Sequence, residues 1–197
     1  MSGIVIVDSG GANLASLQYA LERLGASATV SSNAAIIAAA ERVLLPGVGA
    51  AADAMRRLAG AGLDRLLPQL TQPLLGICLG MQLLFAHSDE GDTPCLGLID
   101  GHVQRLTAVP GRPVPHMGWN TLERRVEDPL LRDVGVDDRV YFVHSYAAPV
   151  TDNTTAAVRY GVPLAAVVRR DNFCGVQFHP ERSGRVGARI LRNFLES

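Results

Sequence analysis

The stretch Leu74-Leu75-Gly76-Ile77-Cys78-Leu79-Gly80-Met81-Gln82 decides the fold. Its first four residues form a short apolar run typical of a strand covered on both faces, and Met81 to Phe85 is predicted to begin a helix. Between them Cys78 stands in a G-x-C-x-G arrangement, the nucleophile-elbow pattern with sulfur in place of a hydroxyl. The glycines permit a sharp turn that lifts the Cys78 side chain above the strand end and brings the Leu79 N–H near its sulfur.

The elbow alone leaves two interpretations of Cys78. A buried cysteine is most often a small apolar side chain that fills the core. At a strand end followed by a helix N-terminus, the same residue is favoured as a thiolate and therefore as a nucleophile. A base elsewhere in the sequence decides between them.

The segment His179-Pro180-Glu181 supplies that base. It follows the apolar stretch Phe173 to Phe178, which is predicted to be a strand. Residues i and i+2 of an extended segment share a face, and Pro180 biases its neighbour toward extended geometry, so His179 and Glu181 are expected to lie together. A thiol needs a base, and an imidazole needs a carboxylate to fix its tautomer. An exposed His–Glu pair is the ordinary alternative, but with the elbow the segment predicts a Cys-His-Glu triad.

The first third of the chain alternates apolar runs with helical patterns, which is the signature of parallel βα units. Ile4 to Val7 and Val43 to Leu45 are predicted strands. The helix between them carries apolar residues at spacings of 3, 4 and 3, with Asn13 as its cap and Gly25 as its end: Leu14, Leu17, Leu21 and Leu24.

Beyond Gly97, short β-prone stretches crowd together between Pro, Gly and Asp residues, which favours antiparallel strands added beside a parallel core. The predicted strands are Leu98–Leu106, Arg139–Val143, Thr155–Tyr160, Leu164–Val168 and Phe173–Phe178. A last helix is predicted over Val186–Leu195. The sequence therefore predicts an α/β fold in which a mixed, mostly parallel central sheet has flanking helices and added antiparallel strands, as a single domain over residues 1–197.

Composition excludes several classes of function. The 197 residues carry a net charge of −1, so neither a nucleic acid nor an anionic membrane is an expected partner. All 18 basic residues are Arg, which excludes lysine Schiff-base chemistry and a Walker A lysine. Three cysteines without a C-x-x-C fit neither a disulfide framework nor a zinc ribbon. Residues 1–7 have neither the basic region nor the long apolar region of a secretory signal, so none is expected. The longest apolar stretch, Leu74 to Ala86, is too short to span a bilayer. A soluble, cytoplasmic protein is expected.

The remaining polar motifs receive ordinary interpretations. His87 and His102 are expected at the surface, and His116 and His144 show no metal-ligand spacing. The Gly-rich turn Asp8 to Asn13 lacks the third glycine of a dinucleotide fingerprint. The Arg pairs at 56/57, 124/125 and 169/170 are expected on solvated faces. Neither a metal nor a cofactor is expected.

The elbow Gly76–Gln82 and the distal His179-Pro180-Glu181 together resemble the triad-type, class I glutamine amidotransferases. Further strings are similar to the glutaminase subunits of imidazole glycerol phosphate synthase, an enzyme of histidine biosynthesis. These strings are Leu45-Pro46-Gly47-Val48-Gly49, Pro115-His116-Met117-Gly118-Trp119-Asn120 and Tyr141-Phe142-Val143-His144-Ser145-Tyr146. The similarity runs from about Asp8 to Phe194.

The resemblance implies that Cys78 attacks the carboxamide of L-glutamine, that His179 moves the protons and that Glu181 orients His179. It implies an oxyanion hole of backbone N–H groups at Gly47, Val48, Gly49 and Leu79, where the two glycines make a peptide flip at Val48 sterically easy. It also implies a glutamine-binding set formed by Gln82, Glu90, Ser145 and Tyr146.

A partner is implied as well: a (β/α)₈ cyclase that docks over the glutaminase site, forms a heterodimer and receives the ammonia through its barrel. The residues implied to face it are Asn13, Trp119, Tyr141 and Arg182. Core filling is the alternative for Trp119. The sequence departs from the family pattern in two places: Arg182 stands where Lys is common, and Ala50-Ala51-Ala52 stands where an aromatic residue is usual.

Three alternatives stay open at this point. Another free-standing glutaminase, such as that of pyridoxal phosphate synthase or anthranilate synthase, would share the triad but should lack Pro115 to Asn120. A thiol or ester hydrolase with an elbow would have its acid before its histidine, whereas Glu181 follows His179. A non-catalytic binding protein would not need the intact triad.

Overall fold

The structure is a computed structural model that describes residues 3–10 and 14–197. The strands are β1 (Ile4–Val7), β2 (Thr29–Ser31), β3 (Arg42–Gly47), β4 (Leu74–Cys78), β5 (Phe85–Ser88), β6 (Thr93–Pro94), β7 (Ile99–Arg105), β8 (His116–Thr121), β9 (Glu123–Arg124), β10 (Arg139–His144), β11 (Tyr146–Ala147), β12 (Thr154–Tyr160), β13 (Val162–Arg170) and β14 (Phe173–Val176). The helices are α1 (Leu14–Glu22), α2 (Ala34–Ala38), α3 (Ala51–Gly60), α4 (Leu63–Leu66), α5 (Leu79–Gln82) and α6 (Gly184–Leu195), with 3₁₀ turns at Leu67–Gln69, Pro129–Leu131 and Pro180–Arg182.

Within the described residues the main sheet has eight strands in the order β2-β1-β3-β4-β14-β13-β12-β9. The strands from β2 to β14 are parallel, and β13, β12 and β9 continue the sheet in antiparallel pairing. The expectation of a mixed, mostly parallel sheet with added antiparallel strands is confirmed. β7 and β10, which were expected beside the parallel core, lie instead in two smaller sheets, β11-β7-β5-β6 and β10-β8.

Alternate side chains of the parallel strands enter two separate apolar clusters, because successive residues of a strand point to opposite faces. Ile6, Leu44 and Leu75 pack with residues of α1 and α6 on one face. Val7, Leu45 and Leu74 pack with residues of α2, α3 and α4 on the other. β1, β3 and β4 are therefore buried on both faces, as their continuous apolar runs predict.

The parallel pairing of β4 with β14 determines where the site forms. Ile77 lies opposite Val176 in this pair, so both strands end at the same edge of the sheet. Cys78 is the last residue of β4, and Gln177, Phe178 and His179 follow β14 directly. Two segments that are about 100 residues apart in sequence thus meet at one edge.

The predicted helix from Met81 to Phe85 is wrong in its extent. α5 ends at Gln82, and Phe85 begins β5, where it is fully buried and pairs with Ile99. The apolar run continues through both elements, so its composition does not mark where the helix ends.

Of the helices in the described residues, none has the length and apolar character that crossing a lipid bilayer requires.

One buried ion pair connects the antiparallel part of the sheet to the loop before β10. The Asp128 side chain is fully buried and accepts hydrogen bonds from Arg169 at 3.0 and 2.6 Å and from the Leu130 N–H at 2.8 Å. Burial alone would raise the pKa of Asp128, but these hydrogen bonds and the Arg169 charge outweigh it and hold the pKa below its ordinary value. Arg169, expected on a solvated face, is therefore mostly buried.

We expect Asp128→Ala to lower the free energy of unfolding by about 2–4 kcal/mol, because it leaves the Arg169 charge and the Leu130 N–H without their partner. Urea unfolding measures the change. Glu123→Ala is the matched control: Glu123 forms a similar two-bond pair with Arg159, but at the surface, and its loss should cost less than about 1 kcal/mol. Equal losses in the two variants would contradict the role of burial.

Candidate functional site

The elbow at Cys78 is formed by very close backbone packing. Cys78 has φ 54° and ψ −110°, a conformation that L residues rarely adopt. A Cβ on Gly80 would lie 1.7 Å from the Leu45 carbonyl oxygen, and one on Gly76 would lie 2.7 Å from the Gly80 carbonyl oxygen. Only glycine fits at positions 76 and 80, which explains the G-x-C-x-G spacing in steric terms.

The helix after the elbow is a single turn, Leu79–Gln82. A helix of this length has a small dipole, so the predicted favouring of the thiolate by the helix N-terminus carries little weight. The contacts of the sulfur matter more. They are the imidazole of His179, the Val143 carbonyl oxygen at 3.9 Å and the amide nitrogen of Gln177 at 3.8 Å.

His179 and Glu181 lie together as predicted, but the geometry differs from the predicted one. Pro180 begins a 3₁₀ turn, not an extended segment, and this turn brings Glu181 Oε1 to 2.8 Å from His179 Nδ1. Since the carboxylate accepts, Nδ1–H donates and Nε2 is left for the sulfur. Burial alone would lower the pKa of His179, but hydrogen bonds to Cys78 and Glu181 and their negative charges raise it to about 10.

A pocket of about 510 Å³ opens in front of Cys78 and His179. The whole predicted glutamine-binding set lines it: Gln82, Glu90, Ser145 and Tyr146. The Glu90 carboxylate also accepts a hydrogen bond of 2.8 Å from the Ala51 N–H at the start of α3, which fixes its position. The structure thus brings together at one pocket residues from four separate parts of the chain.

The predicted oxyanion residues divide into two groups. Val48, Gly49 and Leu79 line the pocket, whereas Gly47 is the last residue of β3 and lies opposite Cys78 in the sheet. Gly49 has φ +88°, and a Cβ there would meet no other atom within 4 Å. The peptide between Val48 and Gly49 is therefore at the pocket wall, with open space on the Cβ side of Gly49.

Three of the residues predicted to face a partner form one surface cluster beside the pocket. The Trp119 ring is 52% exposed and lies 5.8 Å from the Tyr141 ring. The Arg182 guanidinium lies 5.2 Å from the centre of the same tyrosine ring and also lines the pocket. This exposure favours the surface interpretation of Trp119 over core filling. Asn13, the fourth residue of the set, is outside the described residues.

Sequence reasoning missed Gln177, which is fully buried behind Cys78 and donates to its sulfur. The i, i+2 alternation that relates His179 to Glu181 also relates His179 to Gln177. It is the sequence signal that points to this residue.

It also missed the buried pair His116–His144. His144 lines the pocket, and its Nδ1 lies 2.9 Å from the Tyr146 carbonyl oxygen. The carbonyl only accepts, so His144 Nδ1–H donates and His144 Nε2 accepts from His116 Nδ1–H at 3.0 Å. Burial lowers the pKa of both imidazoles to about 4, and for His144 the nearby His116 and His179 act in the same direction. Both rings are neutral at neutral pH.

The sequence matches the family described as "Glutamine amidotransferase class-I" over residues 5–197. It is 54% identical over 196 residues to "Imidazole glycerol phosphate synthase subunit HisH" of Xylella fastidiosa, covering 100% of this chain and 98% of that protein. The protein of the same name from Xanthomonas euvesicatoria pv. vesicatoria is 56% identical over the same length and coverage.

Solved structures show the same fold at low sequence identity. A structure described as a glutamine amidotransferase superposes with a TM-score of 0.75 at 22% identity, covering 98% of this chain and 97% of that one. The structure of PurLQS from Thermotoga maritima has a TM-score of 0.72 at 20% identity and the same coverage of the two chains. These likenesses show the architecture.

The buried imidazoles lead to a prediction about acid stability. Between pH 6.5 and 4 an unfolded His116 or His144 binds a proton that the native ring does not, so the free energy of unfolding should fall as the pH falls through this range. His116→Phe should reduce the slope by up to about 1.4 kcal/mol per pH unit, measured by urea unfolding at several pH values.

Tyr160→Phe serves as the matched control. The Tyr160 ring stacks on His116 at 4.0 Å, and its hydroxyl donates to the Pro113 carbonyl oxygen at 2.6 Å. This variant perturbs the same cluster without removing an imidazole, so it should change the stability and keep the slope. An unchanged slope in His116→Phe would contradict the prediction, because it would show that the native ring binds its proton over the same pH range as the unfolded one.

Proposed function

Because the chain belongs to the class I glutamine amidotransferases, in the group of the HisH subunits of imidazole glycerol phosphate synthase, we propose that it hydrolyses L-glutamine through Cys78, His179 and Glu181 and delivers the ammonia to a synthase partner. The synthase uses this ammonia in histidine biosynthesis and makes imidazole glycerol phosphate and aminoimidazole carboxamide ribotide. We assign this activity to one amidotransferase domain over residues 1–197, without cofactor or metal.

The observation that carries the proposal is the succession of sulfur, imidazole and carboxylate: Cys78 and His179 line one pocket, and Glu181 contacts His179 from outside that lining. His179 hydrogen-bonds to Cys78 and, through Nδ1, to Glu181 at 2.8 Å. Each of the three side chains is less than a tenth exposed, so water competes little for these hydrogen bonds. A thiol nucleophile with its base and the orienting acid of that base is the arrangement that acyl transfer requires.

In the acylation step, the Cys78 sulfur attacks the side-chain carbonyl carbon of glutamine and forms a tetrahedral oxyanion. The N–H groups of Leu79 and of the Val48–Gly49 segment are at the pocket wall where this oxyanion would form. The imidazolium of His179 then gives its proton to the departing nitrogen, and ammonia and a γ-glutamyl thioester result.

In the deacylation step, His179 acts as the base. Part of the rise in its pKa comes from the negative charge on Cys78, and acylation removes that charge. The imidazole therefore loses its proton more readily in the thioester than in the resting site. It takes a proton from water as the water attacks the thioester, and it returns this proton to the sulfur as glutamate leaves.

Glutamine is held by residues whose chemistry matches its head group. We assign the α-ammonium of the substrate to the Glu90 carboxylate. Gln82, Ser145 and Tyr146 complete the pocket around it. The Gln82 amide nitrogen is already used, since it donates to Tyr146 O at 2.8 Å and Gln177 Oε1 at 3.0 Å, so its oxygen is the atom offered to the substrate.

We propose a cyclase of (β/α)₈ fold as the partner, in a heterodimer docked over the pocket mouth. Ammonia in neutral water is mostly ammonium and is not nucleophilic, so the partner must cover the site and receive the ammonia directly. The Trp119–Tyr141–Arg182 cluster supplies the exposed aromatic and Arg side chains that are enriched at interface centres.

Since the three cysteines of the chain are unpaired, we place the chain in the reducing cytoplasm.

Cys78→Ala should lower glutamine-dependent synthesis of imidazole glycerol phosphate by about a thousandfold or more, because the nucleophile is gone. The complex should still use added ammonium salts, since the cyclase does not need the sulfur for this. Both rates are measured on the assembled complex. Cys95→Ala, at a half-buried cysteine that does not line the pocket, should retain both activities. Full glutamine-dependent activity in Cys78→Ala would refute the proposed nucleophile.

Trp119→Ala should weaken binding to the cyclase about tenfold or more and shift the melting temperature of the isolated chain by only a few degrees, because the ring is half exposed. Isothermal titration calorimetry and thermal unfolding give the two values. Tyr19→Ala is the control, since Tyr19 is 59% exposed and lies on α1, outside the cluster. A large fall in melting temperature with unchanged binding would favour the core interpretation of Trp119.

A further inference from the structure

We propose that Gln177 is a further catalytic residue: its amide N–H donates to the Cys78 sulfur and holds it as an oriented thiolate. The inference rests on the proposed glutaminase function and adds a group outside the triad. Gln177 is fully buried, follows β14 directly and approaches the sulfur from behind the pocket, which it does not line.

The polarity of this contact follows from a backbone carbonyl. The Tyr146 carbonyl oxygen can only accept, so the group 2.8 Å from it must be the amide nitrogen of Gln82. The same nitrogen lies 3.0 Å from Gln177 and must therefore meet the Gln177 oxygen. The Gln177 nitrogen is left, 3.8 Å from the Cys78 sulfur. Rotating either amide by 180° would place two donors or two acceptors face to face.

The position of the Gln177 amide is fixed from both ends. Its backbone N–H donates to the Ala166 carbonyl oxygen of β13 at 2.9 Å, which continues the sheet beyond β14. The Gln82 amide holds the other end at Oε1. Phe178 points to the opposite side and is fully buried in the core cluster that contains Phe142, so the alternation places Gln177 and His179 on the sulfur side.

A donor in this position favours the charged form of the sulfur. A thiolate accepts hydrogen bonds more strongly than a thiol, so an N–H aimed at it stabilises the charge. The Val143 carbonyl oxygen, 3.9 Å from the sulfur, is an acceptor and interacts with the thiol form instead. When the thiolate forms, Gln177 and His179 are its donors from two directions, and the remaining lone pair is directed to the pocket.

The test uses the complex with the cyclase and the variant Gln177→Met, which has a similar length and no N–H. We expect kcat for glutamine to fall about tenfold to a hundredfold, the loss typical of a hydrogen bond to a charged group. KM should change less than kcat, because Gln177 reaches the pocket only through Gln82, and Gln82 keeps its hydrogen bond to Tyr146 O. Ammonia-dependent synthesis and cyclase binding should be unchanged.

A second readout separates donation from packing. Cys78 alkylation by iodoacetamide, followed from about pH 5 to about pH 10 and corrected with Cys78→Ala, should be slower near neutral pH in Gln177→Met, and its pH profile should move to higher pH. The ionisable groups lining the pocket around the sulfur are the same in all variants: Glu90, His144, Tyr146, His179 and Arg182. Burial raises the pKa of Cys95 to about 11 and that of Cys174 to about 12, so they react little at neutral pH.

Asn193→Leu is the matched control. Asn193 is another buried amide, which donates to the carbonyl oxygens of Leu130 and Arg132 and does not contact the sulfur. Its loss should lower stability and leave the alkylation profile as in the wild type. Should Gln177→Met fail to fold, Gln177→Asn replaces it: the shorter amide retracts the N–H, and the same shifts are expected in smaller size.

A folded Gln177 variant with wild-type kcat and a wild-type alkylation profile would overturn the role of Gln177. That result is distinct from a failure of the proposed function, in which Cys78→Ala would keep glutamine-dependent activity.

Discussion

The parallel pairing of β4 with β14 is the constraint on which the site depends. Parallel neighbours about 4.8 Å apart end at the same edge, so the residue that ends β4 and the residues that follow β14 must meet there. The antiparallel strand β13, which joins β14 by a tight turn at Asp171 and Asn172, reverses the chain so that β14 can run parallel to β4. The strands added after Gly97 are therefore part of what brings His179 to Cys78.

Close approach of backbone to backbone fixes the sulfur within this edge. Gly80 packs against the Leu45 carbonyl oxygen of β3, and Gly76 packs against the Gly80 carbonyl group. β3 therefore provides the backbone against which the elbow packs. Two residues beyond its end it leads to Gly49, which has φ +88° and belongs to the candidate oxyanion segment. A side chain at position 80 would separate β3 from the elbow and move the oxyanion donors away from the sulfur.

Much of this arrangement could be predicted from the sequence, because strand and elbow leave local signals. The apolar runs of β1, β3 and β4 and the spacing of Gly76, Cys78 and Gly80 depend on neighbouring residues alone. The extent of α5 and the burial of Arg169 could not be predicted, because they depend on contacts with distant segments: Phe85 pairs with β7, and Arg169 meets Asp128 from 41 residues away. The i, i+2 alternation places Gln177 on the same side as His179, but its role could not be predicted, because it depends on contacts with Cys78 and Gln82, almost 100 residues away in sequence.

The environments of His144 and His179 determine which of these two neighbouring imidazoles takes part in proton transfer. His144 and His179 both line the pocket, yet the pKa of His144 is lowered to about 4, first by burial, while hydrogen bonds to Cys78 and Glu181 raise that of His179 to about 10 despite burial. Of these two rings, only His179 is an imidazolium at neutral pH and can give a proton to the leaving nitrogen. His144 stays neutral, and its donation to Tyr146 O anchors the same carbonyl that orients Gln82 and, through it, Gln177. Protonating His144 would add a second positive charge beside His179 and disfavour the imidazolium that the acylation step needs. The neutral histidine pair thus keeps the proton on the one ring that faces the sulfur.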